Sequence, residues 1–295
     1  MTTERPATVT RSIGRWRVHA IQAGWQRLDG GAMFGVVPKP LWERRIPADD
    51  LNRIPLGMRC LLVEHDDGLV LIDTGVGNKE NEKFRAIYGI ENDGLNGGTW
   101  LEDSLRALGF SPGDIHLVIN THFHFDHAGG NTRATPEGTI VPSFPNARYV
   151  VQRGELEFAT RTNERTAASY FPRNWDPLIA EQRIDFVDGE PEILPGISVL
   201  RTPGHVPHHQ SVLLDGGNGE KALFLGDVCP THAHLPLPWI MGYDVEPLVT
   251  LESKRRILKQ AVDEDWLLIF EHDATVPWGR VAHDGKGYSL RPDVG

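Results

Sequence analysis

With 295 residues, 40% of them hydrophobic and 24% charged, the chain has the makeup of a globular protein with a sizeable core, as one large domain or two small ones. A formal net charge of -10 makes it a poor electrostatic partner for phosphate backbones, so nucleic acid is not an expected substrate. No apolar run is long enough to span a bilayer, and the start Met1-Thr2-Thr3-Glu4-Arg5-Pro6 lacks the basic and apolar stretches of a signal peptide. No membrane partner is expected, and a cytoplasmic location is. The two cysteines, Cys60 and Cys229, fit reduced thiols better than a disulfide framework.

Residues 1–12 read as a flexible tail and 13–295 as a single domain. A first strand is expected near Trp16-Arg17-Val18-His19-Ala20-Ile21. The Gly- and Pro-rich segment from Asp29 to Trp42 reads as a loop lying over something else. Cys60–His65 and Leu69–Asp73 flank Asp66-Asp67-Gly68, a hairpin signal. The polar stretch from Gly77 to Gly98 reads as a lid or a solvated segment. Thr99-Trp100-Leu101-Glu102 resembles a capping box, opening a helix with Leu101, Leu105 and Leu108 on one face and Gly109 at its end. Strands follow at 115–119, 148–151, 184–187, 197–202, 210–214 and 222–225, with a short helix at 154–159. A helix at about 250–262 leads to a buried strand at 266–270. The pattern implies one α/β domain of two packed sheets with helices outside.

The chemistry concentrates at strand ends. Thr121-His122-Phe123-His124-Phe125-Asp126-His127 follows the strand at 115–119 and places three imidazoles and a carboxylate within six residues. His205 follows Val199–Gly204, Asp227 follows Leu223–Gly226, and His272 follows the strand at 266–270. Strand ends are rigid and their loops converge, as a preorganised site requires. Imidazole and carboxylate are ligands for zinc and its neighbours. Seven candidates exceed what one ion takes and suit two sharing a carboxylate. His65, His116, His232, His234 and His283 have no such setting.

His122-Phe123-His124-Phe125-Asp126-His127 resembles the HxHxDH signature of the metallo-β-lactamase superfamily. Asp73-Thr74-Gly75, Thr202-Pro203-Gly204-His205, Gly226-Asp227 and His272 are similar to its other motifs in the same order, over roughly residues 56–275. The resemblance implies a four-layer αβ/βα sandwich of two mixed β-sheets flanked by helices, with the metals at one edge. It implies that His122, His124 and His205 hold one ion and Asp126, His127 and His272 the other, with Asp227 bridging. Two divalent ions are implied, zinc first, with manganese, cobalt or iron as alternatives. Asp73 either steadies the histidine loop or caps a turn.

Phe34–Lys39 and Thr202–Ser211 resemble the branch of quorum-quenching N-acyl homoserine lactonases and methyl parathion hydrolase. That branch implies a metallo-hydrolase of the ester-cleaving class, with a hydroxide bridging the ions attacking a lactone or carboxylic ester. Asp126 would carry the proton to the leaving alkoxide, and Asp227 would bridge the two ions. Lactonases of this branch place a tyrosine three residues beyond the bridging aspartate. Here that position is Pro230, with Tyr243 or His232 as substitutes. Met33, Phe34, Trp42, His232, Trp239 and Tyr243 are candidate pocket residues for a small ester or lactone, although some could serve a homodimer contact. Phosphotriester hydrolysis of the methyl parathion type is the close alternative. A one-iron persulfide dioxygenase is a further one, but it leaves Asp126, His127 and His272 without a metal role.

Overall fold

A computed structural model of the protein describes residues 8–95 and 97–291. Seven strands form the first sheet, in the spatial order Val9–Ile13, Trp16–Asp29, Arg53–His65, Gly68–Ile72, Ile115–Ile119, Arg148–Gln152 and Ile184–Val187. The first four pair antiparallel, with His65 opposite Gly68 in the expected hairpin. The last three join parallel, and parallel neighbours need long crossovers. The helix Trp100–Ala107 lies in one such crossover. It opens on a full capping box between Thr99 and Glu102.

The second sheet has six strands in the order Glu192–Leu194, Ile197–Arg201, Gln210–Asp215, Lys221–Phe224, Leu267–Ile269 and Trp278–Gly279. Its one parallel pairing, Lys221–Phe224 with Leu267–Ile269, is bridged by the helix Pro247–Asp263.

Side-chain alternation explains the layering. Along Arg53–His65, Leu61 and Val63 face inward and pack with Val199, Val212, Phe224 and Ile269 of the other sheet. Cys60 and Leu62 face outward and pack under Leu101 and Leu105 of the flanking helix. On the far side, Leu223, Leu268 and Phe270 meet Ile257, Leu258 and Ala261 of Pro247–Asp263. The result is the α/β sandwich with helices on both outer faces. Both cysteines are buried and free, and among the described residues no helix is long and apolar enough to cross a membrane.

Three expectations change. Within the supposed tail, Val9–Ile13 is a strand paired to Trp16–Ala20, because Ile13 and Trp16 bury into the core; residues 1–7 lie outside the described residues. The segment after Asp29 is not a covering loop but two short helices, Gly30–Phe34 and Lys39–Trp42, with a core of their own. There Phe34 stacks on Trp42 at 5.4 Å and on His234 at 4.5 Å, which buries aromatics whose Gly-rich surroundings suggested exposure. The polar stretch after Gly77 contains the helix Glu82–Tyr88, held by Phe84 and Tyr88 against Phe125 rather than by a continuous apolar face.

Lys254 fixes the loop that follows Asp227. Its buried ammonium donates to the carbonyls of His234 (2.7 Å), Pro236 (3.0 Å), Leu237 (3.3 Å) and Trp239 (2.7 Å), and burial pulls its pKa down to about 8. Lys254→Met is expected to remove the ammonium donor from all four carbonyls and to cost roughly 3 kcal/mol, measured as a lowered midpoint in chemical denaturation.

Candidate metal centre

The two sheets bring the ends of four strands together. Asp73 ends Gly68–Ile72 in the left-handed region, at φ 54°, and turns its carboxylate toward the neighbouring strand end. It accepts from the Thr121 backbone N–H (2.8 Å) and the Thr121 hydroxyl (2.7 Å), and its Oδ2 stands 3.1 Å from His127 Nδ1. Asp73 therefore holds the histidine loop, the first of the two roles left open for it. The Thr74 amide donates to the His127 carbonyl at 2.7 Å. The two backbones approach so closely that a Cβ at Gly129 or Gly130 would run into the carbonyls of Val76 or Thr74, which accounts for the paired glycines after His127.

All seven predicted side chains are buried and converge. Asp227 lies between them. Its Oδ2 is 3.0 Å from His205 Nε2, 3.4 Å from His127 Nε2 and 3.9 Å from His122 Nε2. Its Oδ1 is 3.0 Å from His272 Nε2. Asp126 faces His127 Nε2 at 3.8 Å and His272 Nε2 at 3.7 Å. Two groups with mutually close donor atoms result: His122, His124, His205 and Asp227, and Asp126, His127 and His272.

The outer nitrogens reveal what the inner ones carry. His272 Nδ1 lies 2.7 Å from the Gly57 carbonyl and so bears the proton. His205 Nδ1 meets the Asp244 carboxylate at 3.0 Å, and His127 Nδ1 meets Asp73. The Thr121 hydroxyl donates to Asp73, leaving its lone pair for His122 Nδ1 at 3.0 Å. In the neutral rings, Nε2 of each of these four histidines then presents a bare lone pair inward. His205 Nε2 faces His124 Nδ1 at 3.0 Å and His272 Nε2 faces His127 Nε2 at 3.1 Å. His122 Nε2 and Asp227 Oδ1 are buried without a hydrogen bond. A cluster of buried acceptors favours cations, and this donor set fits two divalent ions of the zinc kind.

The charges act in the same direction. Burial and the neighbouring imidazoles hold His122 and His124 well below the usual histidine range. Burial also opposes charge on His272, yet Asp227 lifts it to about 9. His127 and His205 are likewise raised against burial by nearby carboxylates, chiefly Glu271 for the first and Asp227 for the second. The attraction that raises these rings' proton affinity is the one a metal cation would feel.

A cavity of about 480 Å³ opens on this cluster, with His124, Asp126, His205, Asp227 and His272 in its wall. Of the predicted pocket residues, Met33 and Tyr243 line it. Phe34, Trp42, His232 and Trp239 do not. Phe34 and Trp42 are consumed by their own stack, with Trp239 edge-on to Phe34 at 5.6 Å. His232 is committed to Asp273, which accepts from its backbone N–H at 2.9 Å and meets its Nδ1 at 2.5 Å.

Sequence reasoning missed Asp244 on His205, Gln26, whose amide donates to Asp126 Oδ2 at 2.6 Å, and Tyr88 and Arg165 in the cavity wall. It also missed Glu271, whose Oε1 is 3.0 Å from His127 Nδ1 and whose carboxyl burial pushes up to about 8.

Among curated relatives, an N-acyl homoserine lactonase of Bacillus sp is 28% identical over 236 residues, covering 75% of this chain and 82% of its own length. The N-acyl homoserine lactonase AttM of Rhizobium radiobacter is 27% identical over 220 residues, covering 72% of this chain and 80% of its own length. Among solved structures, a probable metal-dependent hydrolase from Staphylococcus aureus superposes with a TM-score of 0.85 at 30% identity, over 97% of this chain and all (100%) of that one. AidC, a dizinc quorum-quenching lactonase, shares the fold with a TM-score of 0.80 at 20% identity, covering 98% of each chain. Residues 55–272, which contain every converging side chain, match the metallo-beta-lactamase superfamily, and the chain belongs to it.

Proposed function

We propose that the protein is a dinuclear metal-dependent hydrolase that opens lactones, of the N-acyl homoserine lactone kind. The observation that carries this reading is the pair of buried donor groups on the wall of a largely apolar cavity, with Asp227 of the first group 3.4 Å from His127 and 3.0 Å from His272 of the second. The lactonase relatives, matched over four-fifths of their length, support the choice of substrate. His122, His124 and His205 would hold one ion and Asp126, His127 and His272 the other, with Asp227, placed between the two groups, serving both. The second group gives three buried donors a use that a one-iron enzyme would not. Zinc suits the mixture of imidazole and carboxylate best.

Bound ions would supply Lewis acidity toward the scissile carbonyl and bring the ionisation of a water near neutral pH. The chain's own groups do the rest. Asp126 is fixed by Gln26 at one oxygen and stands in the cavity wall, so it can pass a proton to the leaving alkoxide. Tyr243 supplies the phenol that Pro230 cannot. It lines the cavity, and a phenol stays protonated near neutral pH and can donate a hydrogen bond there. Leu28, Ala32, Met33, Phe125, Met241 and Val245 give an apolar wall suited to an acyl chain.

Purified protein is expected to contain close to two divalent ions per chain by elemental analysis. Stripping them with a chelator should lower the thermal midpoint by several degrees, and zinc should restore it, since ions bound only to the native state add stability by mass action. An unchanged midpoint on chelation would remove the ions from the site. On a panel of homoserine lactone, aryl ester and aryl phosphotriester, lactone opening should show the highest kcat/KM. Asp227→Ala and His124→Ala should each lose roughly a thousandfold, several kcal/mol of transition-state stabilisation, with the circular dichroism spectrum retained. Phosphotriester turnover exceeding lactone turnover would overturn the substrate assignment. Tyr243→Phe should lower kcat by about a hundredfold, the scale for losing one oxyanion donor, with metal content unchanged; an unaltered rate would take the phenol out of the reaction.

A further inference from the structure

His122 and His124 belong to one donor group, and Phe123 between them points the other way, as alternation along extended backbone requires. The spacing of the two imidazoles therefore depends on how the Phe123 peptide is held. Its N–H donates at 2.9 Å to Oε1 of Glu155, a fully buried carboxylate on the helix Arg153–Ala159. The same Oε1 accepts from the Tyr170 hydroxyl at 2.9 Å. The Tyr170 ring lies edge-on against His124 at 4.7 Å, and the Phe123 ring stacks on Trp175 at 5.2 Å. One oxygen thus ties the backbone between the two imidazoles to an aromatic ring that flanks one of them.

We propose that Glu155 is a positioning residue that presets the His122–His124 pair for its ion. The inference rests on the dinuclear reading above. Glu155 does not line the cavity and touches none of the seven candidate ligands directly. Its two hydrogen-bond partners, Phe123 and Tyr170, belong to a buried apolar cluster with Ala128, Val151, Ala159, Trp175 and Val206, a setting in which a carboxyl group is costly to bury. That burial pushes its pKa up to about 7, and its Oε2 has no hydrogen-bond partner among the described residues. A group so costly to bury is explained by what its other oxygen holds.

The contacts are also one-sided. In the second donor group, Asp126 is held by Gln26, His127 by Asp73 and His272 by the Gly57 carbonyl, and none of these partners bonds to Glu155. Loss of Glu155 should therefore weaken one ion and spare the other.

The test is titration of metal-free full-length protein with cobalt(II), followed by visible absorbance, and with zinc against a chromophoric chelator. Wild type should take two ions. Glu155→Met, close in volume but without an acceptor, should bind one of them 10- to 100-fold more weakly, the usual loss for a group that orients a ligand, with the other within twofold. Its cobalt spectrum should change for that ion alone. Glu155→Gln keeps an acceptor for Phe123 and Tyr170 and should restore affinity to within threefold of wild type. Should Glu155→Met not fold, Glu155→Asp decides: its shorter reach should give the same asymmetry in smaller measure. Equal weakening of both ions, no weakening, or a Gln variant as impaired as the Met variant would overturn the inference. Wild-type protein that takes no ions would overturn the dinuclear reading, and this inference with it.

Discussion

Five imidazoles and two carboxylates turn toward one another in a space nearly closed to water, and much of the surrounding architecture exists to keep them there. Left alone, such a cluster would repel itself or fill with protons. Each histidine can offer a lone pair inward only if its other nitrogen has somewhere to place a hydrogen. Four of those places are visible: the Gly57 carbonyl for His272, Asp244 for His205, Asp73 for His127 and the Thr121 hydroxyl for His122. Gly57 lies in a strand of the first sheet, Asp73 and Thr121 follow the ends of two more, and Asp244 lies in the loop before Pro247–Asp263. The sandwich is therefore the device that brings the outer partners to the inner candidate ligands, beyond simply burying apolar surface.

Asp73 shows how local strain serves this end. A non-glycine residue at φ 54° is costly, and the cost is offset by hydrogen bonds from Thr121 N–H and Oγ–H together with the contact to His127 Nδ1. One carboxylate thereby links the ends of two parallel strands and orients a ring. The close approach at Gly129 and Gly130 completes the same junction from the other side of the loop.

The convergence of the seven candidate ligands was legible in the sequence because four of them lie within six residues and the others directly follow apolar strands, a pattern that local geometry alone makes meaningful. The strands were legible through β-branched runs and turn residues, and the Thr99 helix through its capping box. What stayed hidden depends on distance along the chain. Nothing local marks Asp244 as the partner of a histidine 39 residues away, or Gln26 as a donor to a carboxylate 100 residues away. The helix Glu82–Tyr88 has no buried residue to give it a periodic stripe, yet it delivers Tyr88 to the cavity by packing on Phe125. Phe34 and Trp42 looked like pocket walls because glycine and proline surround them, and they proved to be a core because His234 and each other offered flat faces to stack on.

The loop Met241–Val245 joins these themes. Asp244 directs His205, while Met241, Gly242, Tyr243 and Val245 line the cavity, so one short segment contacts both the candidate metal centre and the space for substrate. It is pinned from three sides. The Gly242 amide donates to the Ala32 carbonyl at 2.7 Å and Val245 N–H to the His205 carbonyl at 3.0 Å. Arg165, which also lines the cavity, donates to the carbonyls of Gly242 (2.6 Å) and Asp244 (3.2 Å). On the proposed reading, a substitution that reshapes the cavity here also tilts a metal-facing imidazole. Substrate range and metal affinity are then coupled through this loop, and a change in one without the other has to come from residues such as Leu28 or Ala168, which line the cavity and contact no ligand's outer nitrogen.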